Sequence, residues 1–400
     1  MIRVITKYWI LYVMIGLVLL FTYLYIQSGW RQEGEAPLRL AVLEGDAATA
    51  AKWSIEGDYQ YSRYIAVRIE LNEKGIVHNK ERSILDADFD WIIDADQNIW
   101  QLFDGYTDFL RGKKSYGTYY ADDNALAYAN SEQAYGKWVL QLSFLDKDKD
   151  QQTDFEVDFP MGSSNEYWYT EAIQRKDDGQ IIVLVSHHIR DDAREGRNRY
   201  DELVRLEISV EQQAVTSKST VITAPEQEGR RLGLIGTGKV FKPLPYMLIE
   251  APKDDQWFYY AYDTQADKLQ PIMKSDVDAE EMYTMWDVVG DKLHYAYSDG
   301  ARIHYQMFDM KTGQSQSEPL VIDATQWNAK VSRAVAADNE NISIVYENRE
   351  ADLPIIGAAI VDKLTGNAVY RGEVKADGTA EEQRKALLKF NYISGLALRE

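Results

Sequence analysis

The sequence predicts an all-β chain: a β-propeller of about six four-stranded blades, with room for a seventh, behind one N-terminal transmembrane helix. Three observations predict it. Pairs of short β-branched and aromatic runs, separated by Asp/Asn/Gly/Lys turns, recur along most of the chain. An uncharged apolar run of membrane-spanning length stands near the N-terminus. The C-terminal end carries a capped helix followed by one more strand-like run, which can return the chain to the start of a ring.

The N-terminal run comes first. Residues 8–26 (YWILYVMIGLVLLFTYLYI) are 19 residues without a charge. At ~1.5 Å rise per residue they reach roughly 28 Å, about the thickness of a hydrocarbon core. Arg3 and Lys7 precede the run, and Tyr8, Trp9, Tyr25 and Trp30 lie near its ends, where amphipathic rings prefer the interface. A cleaved signal peptide is the rival reading, but it needs a shorter apolar stretch and small residues at the cleavage site. Tyr23-Leu24-Tyr25-Ile26-Gln27 offers bulky ones. The expected organisation is a cytoplasmic stub (1–7), a signal-anchor in the cell membrane (8–26), a polar linker (27–37) and an extracytoplasmic domain (38–400).

Charge narrows the partners. The chain has 64 acidic and 44 basic side chains, a net charge of −20. Phosphate would be repelled over most of such a surface, so nucleic acid is excluded as a partner. Anionic wall polymers and lipid headgroups are disfavoured for the same reason, which points to a basic protein partner or Ca²⁺-dependent behaviour. No Cys is present, which excludes disulfide scaffolds and thiol chemistry.

The strand pairs follow. Runs at 64–71, 138–145, 203–210, 257–262, 303–308 and 355–361 each turn into a second run, at 76–85, 153–159, 214–223, 268–273, 315–322 and 368–374. Between them lie hairpins at 91–103, 167–187, 287–297 and 332–346. Read as strands a, b, c and d, the units have a spacing of roughly 45 to 75 residues, which brackets a propeller blade. Two stacked β-sandwiches are the alternative, although sandwiches rarely repeat a unit of this size so often. Thr379-Ala380-Glu381-Glu382 forms a capping box that opens a helix to about Lys389, and residues 391–398 are expected to complete the first blade.

Two turns share one shape, Asp309-Met310-Lys311-Thr312-Gly313 and Asp362-Lys363-Leu364-Thr365-Gly366. With Asp94-Ala95-Asp96-Gln97-Asn98-Ile99-Trp100 they resemble turns of bacterial β-propeller repeat proteins of quinoprotein-like and sialidase-like blade type. Tyr297-Ser298-Asp299-Gly300 echoes the Asp-box of sialidases but lacks its spacing and closing Trp, so no catalytic role is carried over. The resemblance implies a propeller and no particular activity.

Candidate chemistry is sparse. Asp146, Asp148, Asp150 and Asp154 place oxygen ligands at alternate positions, as a Ca²⁺ loop requires. Gln151 stands where such a loop needs Gly, and a solvated acidic turn balanced by Lys147 and Lys149 accounts for the same residues. Apart from Ca²⁺, no cofactor is indicated. His187 and His188 are neighbours on a strand and should point to opposite faces, as should His294 and His304 across their turn, so no zinc set forms. There is no Gly-x-Ser-x-Gly elbow, and the glycines at 233, 236 and 238 lack the ending of a phosphate loop.

Loops are the better clue. In this strand assignment all b–c connections emerge on one face of the disc, and two are long. Residues 104–136 hold Tyr106, Phe109, Tyr116, Tyr119 and Tyr120; residues 189–201 hold Arg190, Arg194, Arg197 and Arg199. Tyr and Arg dominate recognition hot spots, and long loops on rigid scaffolds often carry them. The opposing readings are an extra strand pair for the first segment and a solvated charge run for the second. The function expected is a membrane-anchored binding or scaffold module of the cell envelope that contacts a protein partner. The alternative is a glycan-binding or glycan-active propeller, sialidase-like or lyase-like, because sugars stack on aromatic faces.

Overall fold

The computed structural model describes residues 38–45, 53–62, 65–77, 106–114, 117–134, 137–159, 166–189, 200–225, 231–235, 240–254, 256–275, 284–315, 318–338 and 340–398, with 18 and 20 near the N-terminus. In chain order the strands are β1 (Leu38–Glu44), β2 (Trp53–Ser62), β3 (Ile65–Asn72) and β4 (Gly75–Val77). A short helix α1 (Thr107–Leu110) precedes β5 (Thr118–Ala121), β6 (Ala125–Ala134), β7 (Lys137–Asp146) and β8 (Gln151–Asp158). Then come β9 (Glu166–Arg175), β10 (Ile181–Ile189), β11 (Tyr200–Ser209), β12 (Ala214–Pro225), β13 (Gly233–Ile235), β14 (Val240–Phe241), β15 (Tyr246–Lys253), β16 (Gln256–Asp263) and β17 (Lys268–Ser275). The last are β18 (Thr284–Val289), β19 (Lys292–Asp299), β20 (Arg302–Asp309), β21 (Leu320–Asp323), β22 (Val331–Ala337), β23 (Asn341–Asn348), β24 (Ile355–Asp362), β25 (Ala368–Ala376), helix α2 (Ala380–Lys389) and β26 (Phe390–Leu398).

These strands form six antiparallel sheets of blade type: β26-β2-β3-β4, β5 to β8, β9 to β12, β13-β15-β16-β17, β18 to β21, and β22 to β25. We number them blades 1 to 6. The predicted c strands, near 64, 138, 203, 257, 303 and 355, are β3, β7, β11, β16, β20 and β24. Residues 391–398 complete blade 1 as expected, because β26 pairs antiparallel with β2. One element was not anticipated: β1 pairs with β25 and adds a fifth, outermost strand to blade 6.

The core lies between blades. On β15, Met247, Ile249 and Ala251 join a cluster shared with blades 2 and 3, whereas Leu248 joins one shared with blade 5. On β23, Ile342 and Ile344 face blade 5, and Val345 faces blade 1. Such strands are buried on both faces, so they read as continuous apolar runs rather than alternating ones. This two-sided burial is what makes successive sheets depend on one another.

The turns between c and d strands share one chemistry. Asp146, Asp263, Asp309 and Asp362 each open such a turn, and each carboxylate accepts backbone N–H bonds from residues two or three further on. Ser209 does the same with Gln212. The fifth residue has positive φ in all five: Asp150, Gln213, Asp267, Gly313 and Gly366. Glycine is required at 313, where a Cβ would stand 2.4 Å from the Pro271 carbonyl oxygen of the neighbouring blade.

One expectation is corrected. Residues 104–136 are not one long b–c loop: they contain α1 and the first two strands of blade 2, joined by a tight turn in which Asp122 accepts from Asn124 and Ala125. The physical reason is that Ala-rich ALAYANSEQA has weak β propensity, yet small residues suit a strand pressed between two sheets. In blade 5 the turn falls at Gly300-Ala301, so His294 opposes Met307 and His304 opposes Tyr297, which still places the two histidines on opposite faces. The hairpin expected at 91–103, with Asp94, Asp96 and Asn98, lies outside the described residues. So does the predicted span at 8–26, apart from Val18 and Leu20, which are helical and exposed. No helix among the described residues is long and apolar enough to cross a membrane.

The seam between blades 6 and 1 is fastened by arginines. β26 is bulged twice against β2, between the partners of Glu56/Gly57 and of Asp58/Tyr59. The Phe390 and Ile393 carbonyls beside these bulges accept from Arg349 (2.9 Å) and Arg333 of blade 6. The bulges turn carbonyls out of the ladder, and the guanidinium groups supply the missing donors.

His294 makes the fold sensitive to acid. It is fully buried on β19, with Nδ1 2.7 Å from the Tyr305 hydroxyl. Burial, with Lys363 nearby, pulls its pKa down to about 4. The unfolded chain takes up this proton near pH ~6.5, whereas the folded chain resists it to pH 4. His294 is therefore expected to lower stability by up to ~3 kcal/mol as pH falls through that window. Burial pushes Glu250 up to about 7, which gives an opposite slope, with stability lost as pH rises from the usual carboxylate range towards neutrality. Urea denaturation of the wild type and of His294→Leu at a series of pH values isolates the histidine contribution by difference. Equal slopes below pH ~6.5 would refute the assignment.

Candidate functional site

Among the described residues, a dense group of chemistry-bearing side chains lies at one end of blade 3. It forms where β9 begins, β10 ends and β11 begins, on the b–c side of the disc. The β9–β10–β11 register places Trp168, His187 and Glu202 in line on one face of the sheet, and Tyr167, His188 and Asp201 on the other. Adjacent histidines on a strand must diverge in this way.

On the first face Phe159, Trp168 and His187 stack three deep. The ring centroids are 4.8 Å and 3.8 Å apart, and the interplanar angles are 18° and 9°. His187 Nε2 lies 3.2 Å from Glu166 Oε2, and its Nδ1 lies 3.2 Å from Glu202 Oε2. The Glu166 backbone carbonyl accepts the Trp138 indole N–H at 2.8 Å, which ties the site to blade 2.

On the second face His188 Nδ1 lies 2.5 Å from Asp201 Oδ1, and its ring meets Tyr169 edge-on at 5.4 Å. Tyr169 also meets Trp138 at 6.2 Å, yet remains 48% exposed. An open aromatic ring held by two neighbours is a stacking platform. Next to it, burial raises the pKa of Glu171. Among the described residues, no three His, Asp or Glu side chains are arranged to hold a metal.

The opposite end of the disc is built differently. β14 runs from blade 4 and pairs in parallel with β5, the innermost strand of blade 2. Gln174 of blade 3 fixes the segment that follows, donating to the Lys242 carbonyl and accepting from the Leu244 N–H. This crossover thus adds a strand to the β5 edge of blade 2, beside the turn that joins β5 to β6. Close by, Arg205 joins blades 3 and 4: it donates to the Tyr262 hydroxyl (3.0 Å), the Thr264 carbonyl (2.7 Å) and Glu207 (2.5 Å).

The residues picked out from sequence are distributed as follows. Phe109, Tyr119 and Tyr120 are buried core side chains rather than loop side chains, and Tyr106 is half-buried. α1 covers the face of blade 2 turned away from blade 3, where Phe109 and Tyr119 pack with Leu126, Tyr128 and Leu145. The Tyr120 hydroxyl donates to Asp122. Tyr116, Arg190, Arg194, Arg197 and Arg199 lie outside the described residues. Asp146 is engaged by Lys149 (2.7 Å) and two backbone N–H groups, and Asp154 by Lys113 (3.7 Å). Asp148 and Asp150 stand on the same turn, but the four carboxylates do not converge. The blade 3 group was missed because its members are 13 to 21 residues apart. Counting register outward from the Asp177-Asp178-Gly179 turn sets His188 opposite Trp168; the bulge between Leu184 and Val185 moves it opposite Tyr167, and no local pattern marks that bulge.

Fold and site together define a class, a blade-built all-β protein with an aromatic and acidic group on one face. No protein-family model matches the chain, and no curated protein matches it. Among solved structures, it is similar to the β-propeller domain of the Trilobed protease from Pyrococcus furiosus (11% identity, 64% of this chain and 70% of that one, TM-score 0.34). It is also similar to an oligogalacturonate lyase in complex with manganese (12%, 84% and 85%, 0.36) and to TolB from Acinetobacter baumannii (10%, 84% and 63%, 0.29). At these values the fold assignment rests on the sheet topology described above.

Proposed function

We propose that this chain is a membrane-anchored binding module of the cell envelope, held by residues 8–26 and engaging a basic protein partner through the b–c side of blade 3. One observation carries the reading: an exposed Tyr169 is set in a rigid frame of Trp138, His188 and Asp201, beside the Glu166–His187–Glu202 group. Rigid aromatic anchors ringed by charged groups are the usual makings of a recognition hot spot. The acidic surface supports a basic partner.

The test places a photo-crosslinking amino acid at position 169 of the full chain in native membranes. A matched control carries it at Leu364, which is 92% exposed on a turn of blade 6. A discrete adduct at 169 alone is expected, weakened about tenfold or more by Glu202→Gln. Equal labelling at both positions would refute the reading. The open Tyr169 ring also favours a second one, sugar stacking; retention of wall oligosaccharides by the wild type and their loss in Tyr169→Ala would establish it instead.

A further inference from the structure

Glu250 carries a carboxyl group that the fold leaves without a partner among the described residues. It is half-buried on β15, opposite Gly233 on the inner strand β13 and Tyr259 on β16. No hydrogen bond or ion pair from another described residue meets its carboxylate, and desolvation is the sole cause of its raised pKa. Carboxylates withdrawn from water are ordinarily paired, because losing hydration without a partner is costly. Glycine at 233 leaves open space on one side: a Cβ there would stand 3.6 Å from Glu250 Oε1.

The surroundings are aromatic. Cross-strand partners share a sheet face, so Glu250 and Tyr259 both lie on the face turned to blade 5. Trp286 of β18 stands 4.3 Å from Tyr259 and 4.3 Å from Tyr295. A lone carboxylate beside aromatic rings, with space next to it, suits an ammonium group on an alkyl stem. The carboxylate takes the charge, and the rings take the methylenes and the flank of the cation.

We propose that Glu250, Tyr259 and Trp286 form a subsite between blades 4 and 5 for an alkylammonium group. The subsite rests on the binding-module reading only for the source of that group, a lysine side chain of the partner. A free small amine offers the same chemistry.

Calorimetric titration of the full chain in detergent tests it with three probes: Nα-acetyl-lysine methylamide, butylammonium, and the neutral Nα-acetyl-norleucine methylamide. Saturable one-site binding of an amine is expected, with none by the norleucine compound and at least about tenfold weakening in Glu250→Gln. The glutamine keeps the shape and removes a desolvated charge, so folding should survive, as circular dichroism will verify. Gly233→Val fills the open space with the carboxylate intact and should weaken the amines as well. Preference for the lysine compound assigns a protein source, and preference for butylammonium a free amine. Undiminished binding in Glu250→Gln, equal binding of the norleucine compound, or no amine binding at all would overturn the subsite. The crosslink at 169 reads the binding-module proposal independently, so either can fail alone.

Discussion

Arg205→Ala is expected to lower the unfolding free energy by about 3–5 kcal/mol, the range found when one partner of a buried ionic group is removed. The side chain is only 2% exposed. Its loss leaves the Thr264 carbonyl without this donor, leaves the Glu207 carboxylate to Lys176 at 3.6 Å, and loosens Asp267, 3.8 Å away. It also removes the buried polar tie between blades 3 and 4, leaving their apolar contact and the more exposed bonds of Gln265 with Asp177 and Arg175 and of Ser219 with Asp267 to hold them. Arg205→Lys should recover less than half of the loss, because an ammonium cannot reproduce a planar fork aimed at three acceptors. Urea midpoints at constant m-value read the change, and a shift below about 1 kcal/mol would contradict the role given to Arg205.

Ending the chain at Lys389 should have a larger effect. It removes β26, and with it the inner strand of blade 1, whose Phe390 and Ile393 are almost wholly buried. Those two side chains alone represent about 3–6 kcal/mol of apolar burial. Arg333 and Arg349 lose the carbonyls they serve, and the inner edge of β2 is left unpaired. The sum approaches the whole stability of a typical domain. The shortened chain should therefore lose its near-ultraviolet dichroism and elute as aggregate. The double variant Arg333→Ala/Arg349→Ala should stay folded but weaker by about 2–6 kcal/mol, one unsatisfied carbonyl for each guanidinium. A truncated protein with an unchanged melting transition would show that β26 does not close the ring.

What the sequence disclosed follows the range of the forces involved. The c–d turns are local: an Asp accepting from residues two and three ahead, then a residue of positive φ, is written in five consecutive letters. With the apolar runs that precede them, such turns located the c strands to within three residues. The Thr379–Glu382 capping box is equally local, and both of its reciprocal bonds form. β5 and β6 were legible only as the alternative to a loop, an extra strand pair within 104–136, since their stability comes from packing between sheets rather than from propensity. The exposure of aromatic residues was not legible either. Tyr119 and Tyr169 look alike in the sequence, yet one is 3% exposed and the other 48%. That difference is decided by which neighbour covers each ring. The pairing of β1 with β25 depends on residues more than three hundred apart, which no local pattern encodes.

That last pairing has a consequence for how the protein is made. Leu38 is among the first residues of the domain to be synthesised, and its partner Ala376 is among the last. At about 5–20 residues per second, β1 waits roughly 20–60 s for β25. Glu44, 327 positions from its partner Arg371, waits nearly as long. Through that interval an apolar strand with both edges free travels with a nascent chain whose other blades can already assemble. Contacts of such separation form late and slowly. The blade 6–1 seam is therefore the stage at which an unfinished molecule is most open to pairing with a neighbouring copy, and the stage at which a holding chaperone would have the most to protect.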